Sequence, residues 1–341
     1  MSAGLNRRQP RVLVVGCGSI GQRHIRNLRA LGVSQITAYD AAQSQLDKAA
    51  KELQVLPAQS LETGLQTEPD LVLVCTPPHL HVPIALQAVA VGCHVFIEKP
   101  LADKIDGVDQ LLSEAAGHDR IVYVGYMLRL QQGIRRLKQL LDDDVIGRVM
   151  SIRAEVGQYL PDWRPTQDYR NSYTANSAMG GGIILDGSHE LDYVTWLGGE
   201  AEAVFCSAGR LSALCMDVED TAEIVLKLKG NVLAQIHLDC IQRGYSRSSK
   251  WIGEKGTLIW DYSRGIRRYD ADSNQWNEES ISPDPNAMYI DEMRHVLACL
   301  SGEEQPHVTA LQAKRVLEVA LAAKKSAVMG SEVRLPALGS C

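Results

Sequence analysis

The sequence predicts two domains: an α/β domain with a doubly wound parallel sheet, then an α+β domain with an open, mainly antiparallel sheet. Its 341 residues exceed what one core usually organises. Strand-like and helix-like runs alternate up to about residue 124, which is typical of a parallel sheet with crossover helices. From about residue 148, consecutive strand-like runs joined by short turns favour antiparallel pairing. We therefore expect a first domain over residues 1–124 and a second over 125–341, whose last helix can pack back on the first.

Composition narrows the class of protein. Hydrophobic residues make up 45% and charged residues 22% of the chain, an ordinary balance for a soluble globular protein. No apolar run approaches the ~18 residues of a membrane helix. Residues 1–10 lack the apolar core of a signal peptide, so we expect a cytoplasmic protein without a membrane partner. A net charge of −6 argues against nucleic acid as a partner. Eight cysteines without a Cys-x-x-Cys pair predict buried, reduced thiols and no metal site.

A glycine motif follows the first apolar strand directly and precedes a run with helical periodicity. Gly16 permits a tight turn, Gly18 lets the backbone approach a pyrophosphate, and Gly21 lets the helix pack closely on the strand. Ser19 and Ile20 begin that helix, and its free N–H groups favour an anion. Between a strand and a helix, this motif predicts a dinucleotide site in a Rossmann domain.

Asp40 stands at the end of the second predicted strand, about 20 residues after the glycine motif. A carboxylate there can accept hydrogen bonds from the adenosine ribose and would repel a 2′-phosphate. The following residues, 41–43, include no arginine or lysine that would bind such a phosphate. The sequence therefore favours NAD over NADP.

Two more apolar strands end in polar segments. In an open parallel sheet, ligands gather at the carboxyl ends of the strands. We therefore expect further cofactor-binding residues at these ends and at the start of the helix that follows the first of them: Thr76, Pro77, His81, Glu98 and Lys99.

These motifs, together with later ones, make the chain similar to a known family. The later motifs are Gly125-Tyr126-x-x-Arg129, Gly180-Gly181-Gly182 and Asp186-Gly-Ser-His189-Glu-Leu-Asp192. The chain resembles the glucose–fructose oxidoreductase / inositol dehydrogenase / rhizopine-catabolism family of NAD(P)-dependent oxidoreductases. The resemblance covers nearly the whole chain, and Glu98-Lys99-Pro100 is its most specific part. It implies a homodimer or homotetramer assembled through one face of the second sheet.

The resemblance also implies catalytic roles. The family's Glu-Lys-Pro lysine lies beside the nicotinamide and the substrate hydroxyl, and this role carries over to Lys99. The peptide bond before the family's proline, here Pro100, is often cis. The family's proton-accepting histidine carries over to His189. The chemistry agrees, because a histidine titrates near neutral pH and an ammonium stabilises developing alkoxide charge.

The chain departs from the family at one catalytic position. Inositol dehydrogenase-like members have an aspartate four residues before the histidine, where this chain has Leu185. Asp186 lies three residues before His189, and on one helix both spacings share a face. We therefore expect Asp186 to reach the site with a different geometry, and Asp192 offers another partner for the histidine.

A long segment without periodicity, residues 161–179, is expected to bind substrate, since long loops are commonly functional. Aromatic side chains can stack on sugars, and arginines can bind carboxylates or phosphates in a forked geometry. The hypothesis is an anionic sugar or sugar nucleotide, although Arg129 fits a structural ion pair equally well. The expected substrate-binding residues are Arg129, Trp163, Arg164, Tyr169 and Arg170.

Three functions fit the sequence. The first is a dehydrogenase or reductase acting on a sugar, a cyclitol or a sugar nucleotide. The second is a glycosidase-like hydrolase that uses tightly bound NAD transiently, and the third is a non-catalytic regulator that binds the cofactor. Lys99 and His189 argue against the regulator, and nothing in the sequence separates the first two functions.

Overall fold

The computed structural model describes residues 9–281 and 284–336, which form two compact units. The first unit comprises residues up to 101, 106–125 and 289–310. The second comprises residues 102–105, 126–288 and those from 311 onward. The division differs from the predicted domains mainly in two places: residues 289–310 group with the first unit, and residues 102–105 group with the second.

The described elements, in chain order, are as follows. The strands are β1 (Val12–Val15), β2 (Ile36–Tyr39), β3 (Leu56–Pro57), β4 (Leu71–Val74), β5 (His94–Glu98), β6 (Val122–Gly125), β7 (Val149–Gly157), β8 (Ala201–Gly209), β9 (Thr221–Leu228), β10 (Val232–Asp239), β11 (Ser246–Gly253), β12 (Gly256–Asp261), β13 (Gly265–Asp270), β14 (Gln275–Ser280) and β15 (Val333–Arg334). The helices are α1 (Ser19–Ala30), α2 (Gln43–Leu53), α3 (Leu61–Leu65), α4 (His81–Ala90), α5 (Val108–Gly117), α6 (Gln132–Asp142), α7 (Leu160–Trp163), α8 (Ile183–Asp186), α9 (Ser188–Gly198), α10 (Ala287–Leu300) and α11 (Ala310–Met329).

The first unit is built on a six-stranded parallel sheet in the order β3-β2-β1-β4-β5-β6. This is the Rossmann strand order, with the switch point between β1 and β4, and it confirms the predicted fold class. Every residue of β1 and β4 is buried, because helices cover both faces of the sheet. The carboxyl ends of these strands therefore carry the glycine motif and Thr76 on one edge.

Helix α10 packs in the first unit, which the sequence prediction did not foresee. Its residues Met293, Val296 and Cys299 belong to the same buried apolar cluster as Val12 and Phe96. The spacing of three residues gives the helix an apolar stripe that completes this core. Residues 289–310 therefore belong to the first unit although they follow every strand of the second unit except β15 in sequence.

The second unit contains a nine-stranded sheet in the order β14-β13-β12-β11-β7-β10-β9-β8-β15. Only β7 and β10 pair in parallel, so the predicted open, mainly antiparallel sheet is confirmed. Helix α9 packs on this sheet as predicted. At its end, a Cβ on Gly198 would lie 2.4 Å from Ile152 Cδ1, so the helix contacts the strands closely.

Two details of this sheet differ from the prediction. In the sequence, residues 249–260 have the pattern of one strand, but β11 and β12 form a hairpin around Glu254 and Lys255. Trp251 and Trp260 are both buried, so the apolar pattern of the sequence looks like that of one continuous strand. The sign of a turn between them is the pair of glycines Gly253 and Gly256. Strand β14 was not predicted because all its residues are exposed and show no alternation.

The segment before α8 has more local structure than a simple loop. It contains α7 and three short 3₁₀ turns, Tyr169–Asn171, Tyr173–Ala175 and Ser177–Met179. Helix α11 runs from Ala310 to Met329, and Gly330 follows with φ +63°, as predicted for the end of this helix.

Two predictions from composition can be compared with the structure. No helix in the described part of the chain is long and apolar enough to cross a membrane. All seven cysteines within residues 9–336 are free; six are buried, and Cys215 is exposed. Burial raises the pKa of the Cys17 thiol to about 12, so this group is a neutral core side chain. The eighth, Cys341, lies outside the described residues.

His237 on β10 lies between two carboxylates. Its Nε2 is 3.0 Å from Asp239 Oδ2, and its Nδ1 is 2.7 Å from Glu223 Oε1 on the neighbouring strand. The hydrogen bond to Asp239, together with that to Glu223, raises the pKa of His237 from 6.5 to about 9. The imidazolium therefore persists at neutral pH in the folded protein.

We expect His237→Gln to lower stability in a pH-dependent way. Because the folded-state pKa is raised, the contribution is complete below about pH 6.5, the unfolded-state value, and is lost as pH rises through about 9. Urea midpoints of wild type and variant should differ most at pH 6 and converge above about pH 9. His118→Gln, on an exposed residue, is the control; a His237 effect that does not vary with pH would contradict this prediction.

Candidate functional site

The glycine motif joins β1 to α1 through backbone contacts. Gly16 has φ +98°, and a Cβ there would lie 2.6 Å from the carbonyl oxygen of Cys75. A Cβ on Gly21 would lie only 1.9 Å from the carbonyl oxygen of Gly16. Any side chain at Gly21 would push α1 away from β1, so these glycines have the geometry that their predicted roles require.

Gly18 differs from the other two glycines because it faces open space. It is exposed, and a Cβ placed on it would meet nothing within 4 Å. Gly18 is also the N-cap residue of the twelve-residue helix α1, and as a glycine it has no side chain that could cap the helix. The next residue, Ser19, is exposed. The first turn of the helix thus presents N–H groups to open space, as the binding of an anion such as a diphosphate requires.

Asp40 is fixed at the end of β2, beside this loop. Its Oδ2 accepts a hydrogen bond from the Cys17 N–H at 2.7 Å, and its Oδ1 accepts one from the Ala42 N–H at 2.8 Å. Each carboxylate oxygen can still accept from a ribose hydroxyl. The residues present therefore fit the adenosine end of a dinucleotide.

Thr76 and His81 form the next part of this edge. The buried Thr76 Oγ1 makes no hydrogen bond within the described residues. The His81 ring is buried, with Nε2 2.8 Å from the Thr76 carbonyl oxygen and Nδ1 2.8 Å from that of Pro100. Pro77 is the N-cap of the 3₁₀ turn Pro78–Leu80, which leads into α4. His81 therefore connects the segments that follow β4 and β5.

Glu98 forms a hydrogen bond that sequence reasoning missed. Its Oε1 lies 2.6 Å from Nε2 of His24, a fully buried residue of α1. Its Oε2 accepts a hydrogen bond from the backbone N–H of Lys99 at 3.2 Å, and the Lys99–Pro100 bond is cis. The sequence contained one sign of this contact, because His24 takes an apolar position in the helical series that contains Leu28. This hydrogen bond connects the cofactor helix to the segment that carries Lys99.

A second carboxyl group, Glu292 of α10, is buried near this pair. It is 1% exposed, and its oxygens have no hydrogen-bond partner within the described residues. Burial, reinforced by the charge of Glu98, raises the pKa of Glu292 well above its usual range. The environment of Glu292 therefore favours its protonated form. Its position far along the chain hid this proximity from sequence analysis.

His189 lies in the second unit near the start of α9. The residue is 3% exposed, and its ring packs edge-on against that of Tyr126, with centroids 5.6 Å apart and planes at 83°. The glycine-rich segment before it fits closely, since a Cβ on Gly181 would lie 2.2 Å from the Tyr173 carbonyl oxygen. These contacts fix the segment that leads to His189.

Asp186 is held by two hydroxyl groups. Tyr173 Oη donates to Oδ1 at 2.9 Å, and Thr174 Oγ1 donates to Oδ2 at 2.6 Å. The prediction that Asp186 and His189 share one continuous helix is wrong, because Gly187 separates α8 from α9. Asp186 is 7% exposed and is directed towards the 173–174 turn.

Three arginines of this unit are engaged in ion pairs. Arg129 makes a bidentate contact with the buried Asp192, at 3.0 and 2.7 Å, and stacks over Trp196. Burial raises the pKa of Asp192, and the Arg129 guanidinium opposes that shift. The two further pairs are Arg170–Asp168 at 2.6 Å and Arg247–Glu190 at 2.8 Å.

Other predicted substrate-binding residues also have contacts in the loop. Trp163 Nε1 donates to the Gln158 carbonyl oxygen at 2.9 Å. The Tyr169 hydroxyl accepts from the Cys215 N–H at 3.0 Å. Arg164 is half-buried, and its guanidinium forms no ion pair within the described residues. Substrate contact by these side chains stays a prediction.

Comparisons with known proteins agree with this geometry. A model of an oxidoreductase family with an NAD-binding Rossmann fold matches residues 10–126, and a model of the GFO/IDH/MocA C-terminal domain matches residues 134–259. Myo-inositol 2-dehydrogenase of Thermotoga maritima is 27% identical over 344 aligned positions, covering 95% of this chain and 98% of that protein.

Two other similar proteins have related activities. The inositol 2-dehydrogenase/D-chiro-inositol 3-dehydrogenase of Shouchella clausii is 30% identical over 259 positions, 73% of this chain and 71% of that protein. The crystal structure of myo-inositol 2-dehydrogenase from Lactobacillus plantarum has a TM-score of 0.82 and 22% identity, covering 96% of this chain and 100% of that one. This structural likeness shows a shared fold.

We expect Gly18→Ala to weaken NAD binding without destabilising the protein. The added methyl group meets no protein atom within 4 Å, so it occupies only the space that the diphosphate needs. The NAD dissociation constant, measured by calorimetry, should rise at least about tenfold while the urea midpoint stays the same. Gly117→Ala, also in open space but at the end of α5, is the control, and unchanged NAD affinity in Gly18→Ala would contradict this assignment.

Proposed function

The chain belongs to the GFO/IDH/MocA family of NAD-binding oxidoreductases and is a dehydrogenase of CH–OH groups, and from this premise we propose that it oxidises a neutral polyol, either a cyclitol or a free sugar, with NAD. One observation carries the choice of substrate class. Arg129, Arg170 and Arg247, which would suit an anionic substrate, are in ion pairs with carboxylates. The similar proteins named as inositol dehydrogenases support the same class.

An anionic sugar or sugar nucleotide is the second candidate substrate. Arg164 supports it, because this half-buried guanidinium forms no ion pair within the described part of the chain. One arginine offers a single forked contact, whereas a nucleotide diphosphate would favour several cations. We therefore rank the neutral polyol first.

The preference for NAD is part of the proposal. Asp40 is held by two backbone N–H groups, so its negative charge has a fixed position. A 2′-phosphate on the ribose would approach this charge and be repelled. Ribose hydroxyls would instead donate to the carboxylate oxygens.

Lys99 and His189 handle the substrate proton in this proposal. Bound NAD supplies the hydride acceptor. His189 accepts the hydroxyl proton as the carbonyl forms, and the Lys99 ammonium stabilises negative charge on the oxygen. Asp186 acts indirectly, since both its oxygens already accept hydrogen bonds from Tyr173 and Thr174. It holds that turn beside α8 and does not take the proton.

The proposed assembly is a homodimer or homotetramer formed through the outward face of the nine-stranded sheet. Phe205 and Leu233 point out from this face and are 43% and 50% exposed. Large apolar side chains at the surface of a sheet favour burial against a second copy.

The proposed reaction is tested by the absorbance of reduced nicotinamide. Purified protein is given NAD with inositols, free sugars, uronates and sugar nucleotides. We expect turnover with a neutral polyol, and kcat should fall by about 10²-fold or more in Lys99→Ala and His189→Ala, because each removes a group that acts on the proton or oxygen.

Lys48→Ala and His118→Ala, at exposed positions, serve as controls for this assay. Turnover only with uronates or sugar nucleotides would select the anionic substrate. Bound NAD without net reduction would favour the glycosidase-like or regulatory alternatives. Full activity in both active-site variants would refute the assigned roles.

We expect Asp40→Asn to shift cofactor preference towards NADP. The amide keeps the size of the side chain and removes the charge that opposes a 2′-phosphate. The ratio of kcat/KM for NADP to that for NAD should rise by about tenfold or more, equivalent to about 1.4 kcal/mol. Asp47→Asn, on the exposed side of α2, should leave the ratio as in wild type. An unchanged ratio in Asp40→Asn would remove Asp40 from cofactor selection.

A further inference from the structure

His81 occupies an unusual position at the carboxyl edge of the parallel sheet. It is the first residue of α4 and is 1% exposed. Both ring nitrogens face backbone carbonyl oxygens, Nε2 that of Thr76 and Nδ1 that of Pro100, each at 2.8 Å. Both distances are those of well-formed hydrogen bonds.

The identity of the two partners determines the protonation of the ring. A carbonyl oxygen only accepts hydrogen bonds, and a neutral imidazole has one donor and one acceptor nitrogen. In either neutral tautomer, one nitrogen lone pair would face a carbonyl lone pair at 2.8 Å inside the protein. Only the imidazolium donates at both contacts.

We infer that His81 is a buried imidazolium that acts as a positioning residue, clamping the Thr76 and Pro100 carbonyls. The inference rests on the proposed function in one respect, because the clamped segment contains Lys99. The charge is stabilised by two charge-assisted hydrogen bonds, which are about twice as strong as neutral ones. These bonds must offset the unfavourable effect of a cation at a helix N-terminus.

The location of the clamp explains what it adds to the fold. The pairing of β4 with β5 ends at Val74 and Ile97. Thr76 and Pro100 lie two and three residues further on, where the sheet no longer connects the two segments. His81 contacts both carbonyl oxygens at 2.8 Å. The His81 side chain therefore connects the two segments beyond the end of the β4–β5 backbone pairing, next to Lys99.

The clamp determines the direction in which Lys99 projects. Glu98 holds the N–H of Lys99 from one side, and His81 holds the carbonyl of Pro100 from the other. The lysine backbone is thus fixed at both neighbours. A small displacement of a catalytic group can cost about 10²-fold in rate.

The protonation state can be measured directly on the full-length protein without cofactor. Ring nitrogens of ¹⁵N-labelled histidine are observed by long-range ¹H–¹⁵N correlation at neutral pH. His81 is assigned by the signal missing in His81→Asn, or in His81→Gln if the first variant does not fold. We expect two protonated nitrogens with nearly equal shifts. One protonated and one unprotonated nitrogen, with widely separated shifts, would overturn the inference.

The positioning role is measured separately by kinetics. In His81→Asn, the shorter amide can reach only one carbonyl, so kcat should fall by about 10²-fold with a much smaller change in the KM for NAD. His118→Asn, on an exposed residue of the same unit, should match wild type. A His81→Asn kcat equal to that of this control would overturn the positioning role. If wild type binds no NAD and oxidises no polyol, the proposed function fails while the ring-nitrogen result still decides the charge of His81.

Discussion

The contact between Gly21 and the Gly16 carbonyl is the constraint on which the first unit depends. A Cβ on Gly21 would lie 1.9 Å from that oxygen, so only hydrogen permits this approach of α1 to β1. The same approach places the helix N-terminus at the sheet edge and brings His24, one turn later, against Glu98 at 2.6 Å. Glu98 then holds the backbone of Lys99. The cofactor cradle and the proposed catalytic lysine therefore share one packing requirement.

The second unit fixes its histidine by a different device. Glu190 and Asp192 lie on either side of His189 around the axis of α9, and each is paired with an arginine, Glu190 with the half-buried Arg247 and Asp192 with the buried Arg129. Breaking such a buried pair by removing one partner typically costs about 3–5 kcal/mol. Two anchors on opposite sides of the helix resist its rotation about its axis. The direction of His189 is thus determined by its neighbours in sequence and their distant partners.

Local sequence patterns predicted much of the fold, whereas most contacts between residues far apart in the sequence could not be predicted from it. The predicted roles of Gly16, Gly18 and Gly21 follow from a motif within six residues, and the doubly wound parallel sheet was predicted from the alternation of strand-like and helix-like runs. The ion pairs of Arg129 and Arg247 join residues that are 63 and 57 positions apart, and the periodicity of a single helix or strand gives no information about such pairs. The hairpin of β11 and β12 was missed because buried tryptophans in both strands masked the turn. Similarly, Glu292 shows no local sign of its burial beside Glu98.

The membership of α10 in the first unit affects how the chain can fold during synthesis. The core of the Rossmann sheet includes Met293, Val296 and Cys299, which are translated after every strand of the second unit except β15. A ribosome that has released the first 125 residues has therefore exposed six strands whose core is incomplete. Domains generally fold as units during translation. Here the two units alternate along the chain, so the unit that begins the chain is completed only after residues 126–288 of the second unit have been made.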